Sequence, residues 1–123
     1  MKIVLTMFLV AILLVSCANS QEVYMNITPE TAKQIMDTSK DYVILDVRTQ
    51  EEFDQAHIPG AILIPNDQIS AEAERVLMDK NQLILVYCRS GRRSKLAAEE
   101  LVKLGYTNIK EFGGIIDWPY EVE

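Results

Sequence analysis

The chain has 123 residues, with 12 lysines and arginines against 18 aspartates and glutamates, for a formal net charge of −6. This length suits a single domain. The acidic balance argues against nucleic acid or an anionic lipid surface as the main partner.

The first residues are typical of a targeting signal. Lys2 supplies a positive start, and the uncharged run over 3–15 has the length of a signal-peptide core and is too short to span a membrane. Ser16 and Cys17 follow this run, and a small residue directly before a cysteine resembles the lipobox of bacterial lipoproteins. In that family the cysteine becomes the lipidated N-terminus. Cleavage by an ordinary signal peptidase near residues 18–20 is the alternative.

We therefore expect a signal peptide over 1–16, a lipid-anchor cysteine with a short tether over 17–26, and one folded domain over 27–123. The protein is expected to be exported, as a periplasmic or cell-surface lipoprotein that touches the membrane through its lipid anchor only. If Cys17 carries the lipid, Cys88 is the remaining thiol. Such a thiol is either a buried apolar side chain or a reactive group.

Helix and strand patterns alternate along the rest of the chain. Two helices are predicted from their starts, one at Thr28-Pro29 and one at Thr49 with Glu52 as its capping-box partner. Two more are predicted over 66–79 and 92–104. Strands are predicted over 42–45, 61–64, 83–87 and 107–110, and residues 113–114 are predicted to turn into a last helical turn at 115–118. This alternation indicates an α/β fold with a mostly parallel sheet, which places ligands beyond the carboxyl ends of its strands.

Cys88 stands between the predicted central strand and the next helix. Backbone N–H groups converge in such a loop, and the helix dipole adds positive potential there. Gly91 permits a tight backbone, and the arginines at 89, 92 and 93 add positive charge. Each effect favours a thiolate over a thiol and attracts an anionic substrate. An inert core cysteine followed by a basic surface turn is the alternative.

Four stretches, in this order along the chain, resemble the signatures of the rhodanese family. They are Leu-Asp-Val-Arg at 45–48 with Glu-Glu-Phe at 51–53, His-Ile-Pro-Gly-Ala at 57–61, Cys-Arg-Ser-Gly-Arg-Arg-Ser at 88–94, and Gly-Gly-Ile-Ile-Asp-Trp at 113–118. The resemblance covers residues 27–120. It implies a three-layer α/β/α fold around a mostly parallel sheet of about five strands.

The resemblance also implies a sulfurtransferase. In such a protein Cys88 would take a sulfane sulfur from a small anionic donor such as thiosulfate, hold it as a persulfide, and pass it to a thiol or cyanide. Substrate would be held by the loop residues Arg89, Ser90, Gly91, Arg92 and Arg93. No metal or organic cofactor is implied, and we expect a monomer. A sulfur-relay, sulfide-sensing or protein-binding module with little turnover stays open as an alternative.

Loop length argues against a phosphatase. The related dual-specificity phosphatases have one more loop residue, with arginine six places after the cysteine. Here Ser94 occupies that place and Arg93 stands five places after Cys88. A redox protein that forms mixed disulfides is disfavoured because the domain offers no resolving cysteine.

Other polar and aromatic residues have weaker functional signals. Asp46 and Arg48 end the first long strand and are predicted to support the loop, with an ordinary salt bridge as the alternative. His57 is expected to bond to backbone in the turn that it begins, and Trp118 is expected to pack in the core near the site.

Overall fold

A parallel β-sheet forms the centre of the protein in the computed structural model, which describes residues 23–123. Its five strands run in the order β1-β5-β4-β2-β3, and every neighbouring pair is parallel. The strands are β1 (Met25–Asn26), β2 (Tyr42–Asp46), β3 (Ile62–Leu63), β4 (Leu83–Cys88) and β5 (Ile109–Gly114). The helices are α1 (Pro29–Thr38), α2 (Gln50–Gln55), α3 (Ile69–Val76) and α4 (Arg92–Lys103), with 3-10 turns at Asn66–Gln68 and Ile115–Asp117.

Two apolar cores lie on opposite faces of this sheet. One contains Leu45 and Val86 together with Leu101 from α4, and the other contains Leu85 and Ala32 from α1. The central strands are therefore buried on both faces, which explains their continuous apolar sequence. The predicted α/β architecture is confirmed.

Two helix starts follow the predicted capping chemistry. The Thr28 hydroxyl accepts a hydrogen bond from the Thr31 N–H, and Pro29 occupies the first turn of α1. Thr49 and Glu52 form a reciprocal capping box at α2. These local signals fix where both helices begin.

Several predicted boundaries were wrong. Residues 25–26, assigned to the tether, form β1 because they pair with β5 at the sheet edge. The last strand covers Ile109–Gly114 rather than 107–110, and it includes the two glycines that were expected to turn. The predicted helix over 66–79 is a 3-10 turn followed by α3, which ends at Val76.

The residues predicted as a signal peptide (1–16) and the lipidation candidate Cys17 lie outside the described part of the chain. Within residues 23–123, no helix is long and apolar enough to cross a membrane.

Candidate active site

Cys88 is the last residue of β4, at the carboxyl edge of the sheet. Its partner in the ladder is Gly114 of β5, and its side chain is 1 % exposed. The chain then turns through residues 89–91 and enters α4 at Arg92. Gly91 caps α4 with φ +106°, a left-handed conformation that favours glycine, and its N–H donates to Cys88 Sγ at 3.0 Å. The backbone thus aims a donor at the sulfur.

The loop favours the thiolate form of Cys88. Burial raises the pKa of the thiol. The Ser94 hydroxyl and the N–H groups of Ser94, Gly91 and Ser90 lower it by more, so the pKa lies below its ordinary value. A thiolate is the form of cysteine that acts as a nucleophile.

A buried polar group lies beside the sulfur. Ser94 Oγ is 3.4 Å from Cys88 Sγ and 2.6 Å from Glu111 Oε1. Glu111 is fully buried in β5 and also accepts from the Gly113 N–H at 2.8 Å. The sequence reasoning did not find Glu111, because it ended the last strand at 110. An acidic residue inside a buried strand is the signal that could have identified it.

The three loop arginines differ in their surroundings. Arg93 forms a two-pronged ion pair with Glu52 of α2, with N–O distances of 2.7 and 2.9 Å. Hydrogen bonding to Arg93 is the main reason why the pKa of Glu52 falls to about 2. Arg89 and Arg92 are exposed. Arg92 borders an open surface cavity of about 580 Å³, lined by Ser90, Gly91, Arg92, Lys95 and Leu96. Positive charge at this cavity suits an anionic ligand.

Asp46 and Arg48 belong to a buried network behind the loop. Arg48 makes a bidentate contact with Asp46, and the Tyr87 hydroxyl donates to Asp46 at 2.6 Å. The same hydroxyl accepts from the Ile58 N–H at 3.0 Å, and Arg48 donates to the Ala56 carbonyl at 2.6 Å. Burial and then the Asp46 hydrogen bond raise the pKa of Tyr87. This network ties β2, β4 and the turn after α2 together, and within residues 23–123 none of its hydrogen bonds reaches Cys88.

Trp118 packs in the core as predicted, and His57 bonds to backbone as predicted, but in helix α2 rather than in the turn that it begins. His57 Nδ1 lies 2.9 Å from the Phe53 carbonyl, and the imidazole stacks on the Phe53 ring. Trp118 packs against Phe112 in the core on the α1 face.

Gly114 sets the clearance between β5 and the loop. A β-carbon at this position would lie 1.9 Å from the Arg89 carbonyl oxygen and 2.4 Å from the Ser90 nitrogen. The sequence reasoning had treated the Gly-Gly pair as a turn. Its second glycine is instead required by the close approach of two backbones.

Fold and site together define a class of protein: a parallel α/β domain that holds a cysteine of lowered pKa within a loop of backbone N–H donors at the carboxyl edge of its sheet. The family model for the rhodanese-like domain matches residues 28–119. The chain belongs to this family, whose curated members include sulfurtransferases.

Two curated relatives and one solved structure illustrate the similarity. The thiosulfate sulfurtransferase PspE of Escherichia coli is 40 % identical over 73 residues, which cover 59 % of this chain and 70 % of PspE. The putative sulfur carrier protein YrkF of Bacillus subtilis is 38 % identical over 98 residues, which cover 79 % of this chain and 52 % of YrkF. A rhodanese-like domain protein from Staphylococcus aureus has a TM-score of 0.69 and 34 % identity, covering 80 % of this chain and 96 % of its own.

Proposed function

We propose that this protein is a thiosulfate sulfurtransferase-like enzyme that carries sulfur as a persulfide on Cys88. The observation that carries the proposal is the position of Cys88 Sγ, which accepts the Gly91 N–H at 3.0 Å in a loop that lowers the pKa of the thiol. A thiolate is required for attack on a sulfur–sulfur bond. The relationship to PspE, which is named a thiosulfate sulfurtransferase, supports thiosulfate as donor.

The proposed reaction has two steps. The Cys88 thiolate attacks the outer sulfur of thiosulfate, a new S–S bond forms, and the bond to the inner sulfur breaks so that sulfite leaves with the electron pair. An acceptor such as cyanide or a thiolate then attacks the outer sulfur of the persulfide, and the Cys88 thiolate is released. The balance closes without an external oxidant, reductant, metal or organic cofactor.

The loop supplies what each step needs. Its N–H groups can stabilise negative charge on the inner or outer sulfur, as they do for the thiolate. Arg89 and Arg92 are exposed at the loop. In the proposed reaction their positive charges attract the sulfonate oxygens of the donor. Arg93 is paired with Glu52 at 2.7 Å. While this ion pair is intact, Arg93 contributes to donor binding through its long-range charge rather than through a direct hydrogen bond.

The location of the protein is proposed from its N-terminal sequence. We propose export by the signal peptide over 1–16 and anchoring by a lipid on Cys17. The domain would then work outside the cytoplasm as a monomer, with its small substrates reaching it by diffusion.

Substitution of the nucleophile tests the proposed reaction. Purified protein given thiosulfate is expected to gain the mass of one sulfur atom on Cys88, and thiosulfate plus cyanide is expected to yield thiocyanate. Cys88→Ser is expected to abolish both signals, whereas Ser70→Ala on the exposed face of α3 is a control that leaves them unchanged. The same intact-mass spectrum reports any lipid on Cys17. Absence of a sulfur adduct on the wild-type protein with thiosulfate and other sulfane donors would show that the proposed function is wrong.

A further inference from the structure

Glu111 is a buried carboxylate that the proposed reaction does not use. It is 0 % exposed, and it accepts from the Ser94 hydroxyl, the Gly113 N–H and the Asn26 side-chain amide. Within residues 23–123, none of the salt bridges includes Glu111. A buried carboxylate without a cationic partner is costly, even when it is hydrogen-bonded. Packing alone does not explain a glutamate at this position.

Ser94 connects this carboxylate to the reactive sulfur. Its oxygen lies 2.6 Å from Glu111 Oε1 and 3.4 Å from Cys88 Sγ. A serine hydroxyl has one hydrogen to donate. While Cys88 is a thiol, its S–H donates to Ser94. The Ser94 hydrogen then has Glu111 Oε1 at 2.6 Å as its shorter acceptor contact and the Gly91 carbonyl at 3.0 Å as a longer one. Once Cys88 is a thiolate, the hydroxyl stabilises it only by turning its hydrogen from the carboxylate to the sulfur.

We propose that Glu111 is a positioning residue for Cys88, which competes for the Ser94 hydroxyl and so restrains ionisation of the thiol. This inference rests on the proposed function, because it concerns the thiolate that carries the sulfur. The competition has a chemical purpose. The nucleophilicity of a thiolate falls as the pKa of its thiol falls, and the best attacking thiol has a pKa near the working pH. Glu111 thus offsets the loop donors, which would otherwise stabilise the sulfur too strongly.

Charge reinforces the effect of the hydrogen bond. Because the contacts through Ser94 span 3.4 and 2.6 Å, the sulfur and Glu111 Oε1 are at most about 6 Å apart. Two negative charges at that distance repel each other, which also disfavours the thiolate. Removal of the carboxylate charge is therefore expected to lower the pKa of Cys88 by about one unit or more.

Tyr24 and Arg93 are titratable groups near this pair. Tyr24 lies near Glu111, and burial followed by the charges of Glu99 and Glu111 raises the pKa of its hydroxyl. Arg93 lies near Cys88, and its bond to Glu52 is the main cause of its raised pKa. Both keep one charge state across the neutral range, so neither produces an inflection there.

Alkylation of Cys88 in the full-length protein tests the proposal. The rate of reaction with iodoacetamide is measured against pH for the wild type and for Glu111→Gln. We expect the midpoint of Glu111→Gln to lie about one pH unit lower. At pH values below both midpoints the thiolate fraction is then about tenfold higher, and because the lower pKa also weakens the nucleophile, alkylation is expected to be about three- to fourfold faster. Glu99→Gln removes the same charge from an exposed position on α4 and is expected to leave the midpoint in place.

The role of Ser94 is tested in a double-mutant cycle. In a Ser94→Ala background the hydroxyl is gone, so Glu111→Gln is expected to give a distinctly smaller shift that reflects charge repulsion alone. An equal shift in both backgrounds would overturn the positioning role. No shift, or a rise in the midpoint, would overturn the proposal as a whole.

A measurement on unmutated Glu111 covers the case in which Glu111→Gln does not fold. The side-chain carboxyl carbons of glutamate are labelled with ¹³C and followed by NMR during titration. The Glu111 resonance is expected to inflect at the alkylation midpoint of Cys88, and the inflection is expected to vanish in Cys88→Ser. A Glu111 resonance that shows no inflection at this midpoint would refute the coupling between Glu111 and Cys88. Both experiments report on the thiolate without sulfur transfer, so failure of the proposed function and failure of this inference are distinguishable.

Discussion

Gly114→Ala is expected to lower the activity of the protein about 10²-fold by displacing the Cys88 loop. Gly114 has φ −132°, an extended conformation that alanine also adopts, so the substitution introduces no backbone strain of its own. What it introduces is a methyl group facing the Arg89–Ser90 peptide. The substitution therefore tests one property alone, the close approach of β5 to the Cys88 loop.

The size of the displacement follows from the distances. The new β-carbon would lie 1.9 Å from the Arg89 carbonyl oxygen, whereas side-chain carbons approach other heavy atoms no closer than 3.0 Å. The peptide must therefore move by about 1.1 Å, and it carries the Ser90 N–H that helps to lower the pKa of Cys88. Displacement by about 1 Å costs about 10²-fold in rate, and overpacking of this kind costs about 1–3 kcal/mol of stability.

Thiocyanate formation from thiosulfate and cyanide, measured beside urea unfolding, checks this prediction. Gly105→Ala is the matched control. Gly105 has φ +94° and open space around its α-carbon, so alanine there should cost about 1 kcal/mol of stability and leave kcat/KM unchanged. A folded Gly114→Ala variant with wild-type kcat/KM and a wild-type alkylation rate at Cys88 would refute the reasoning.

Two further predictions concern stability. Tyr87→Phe removes the hydroxyl that bonds to both Asp46 and the Ile58 N–H, so urea unfolding should show a free energy of unfolding that is lower by about 1–3 kcal/mol. Tyr42→Phe is the control, because the half-buried Tyr42 hydroxyl makes one bond to backbone. A loss for Tyr87→Phe no larger than that for Tyr42→Phe would contradict the prediction. Glu52 has its pKa lowered to about 2, so its pairing stabilises the fold above about pH 4.5 and is lost as the pH falls toward 2. Wild type should exceed Glu52→Gln by about 1 kcal/mol at pH 6, and an equal excess at pH 2 would show that the ion pair is not its source.

Elements defined by local chemistry were predicted well from the sequence. The apolar runs of β2 and β4 identified both central strands, because strands buried on both faces lack polar residues. The Thr49–Glu52 capping box located the start of α2 to the residue. In each case the signal lies within a few positions of the element that it specifies.

Elements that depend on distant partners were not predicted. The two residues of β1 carry no periodic pattern and become a strand only by pairing with β5, 85 positions further along the chain. The glycines at the end of β5 are typical of a turn when read locally, yet Gly114 is extended and pairs with Cys88. A glycine is required there because the Arg89 carbonyl leaves no room for a side chain. Glu111 and its contact with Ser94 were missed for the same reason, since they are joined by packing across 17 positions.

The near-complete burial of Cys88 gives the two halves of the proposed reaction different steric requirements. A sulfur donor must reach a side chain that is 1 % exposed, which selects small or narrow molecules. Attack on a disulfide-type sulfur is collinear, so the transferred atom remains on the approach path, about 2 Å nearer to solvent than the thiolate. An acceptor meets this outlying atom and need not penetrate as far. In the proposed reaction the same enclosure would therefore select the molecules that load the protein more strictly than those that unload it, and a bulky acceptor could react at a site that excludes a donor of equal size.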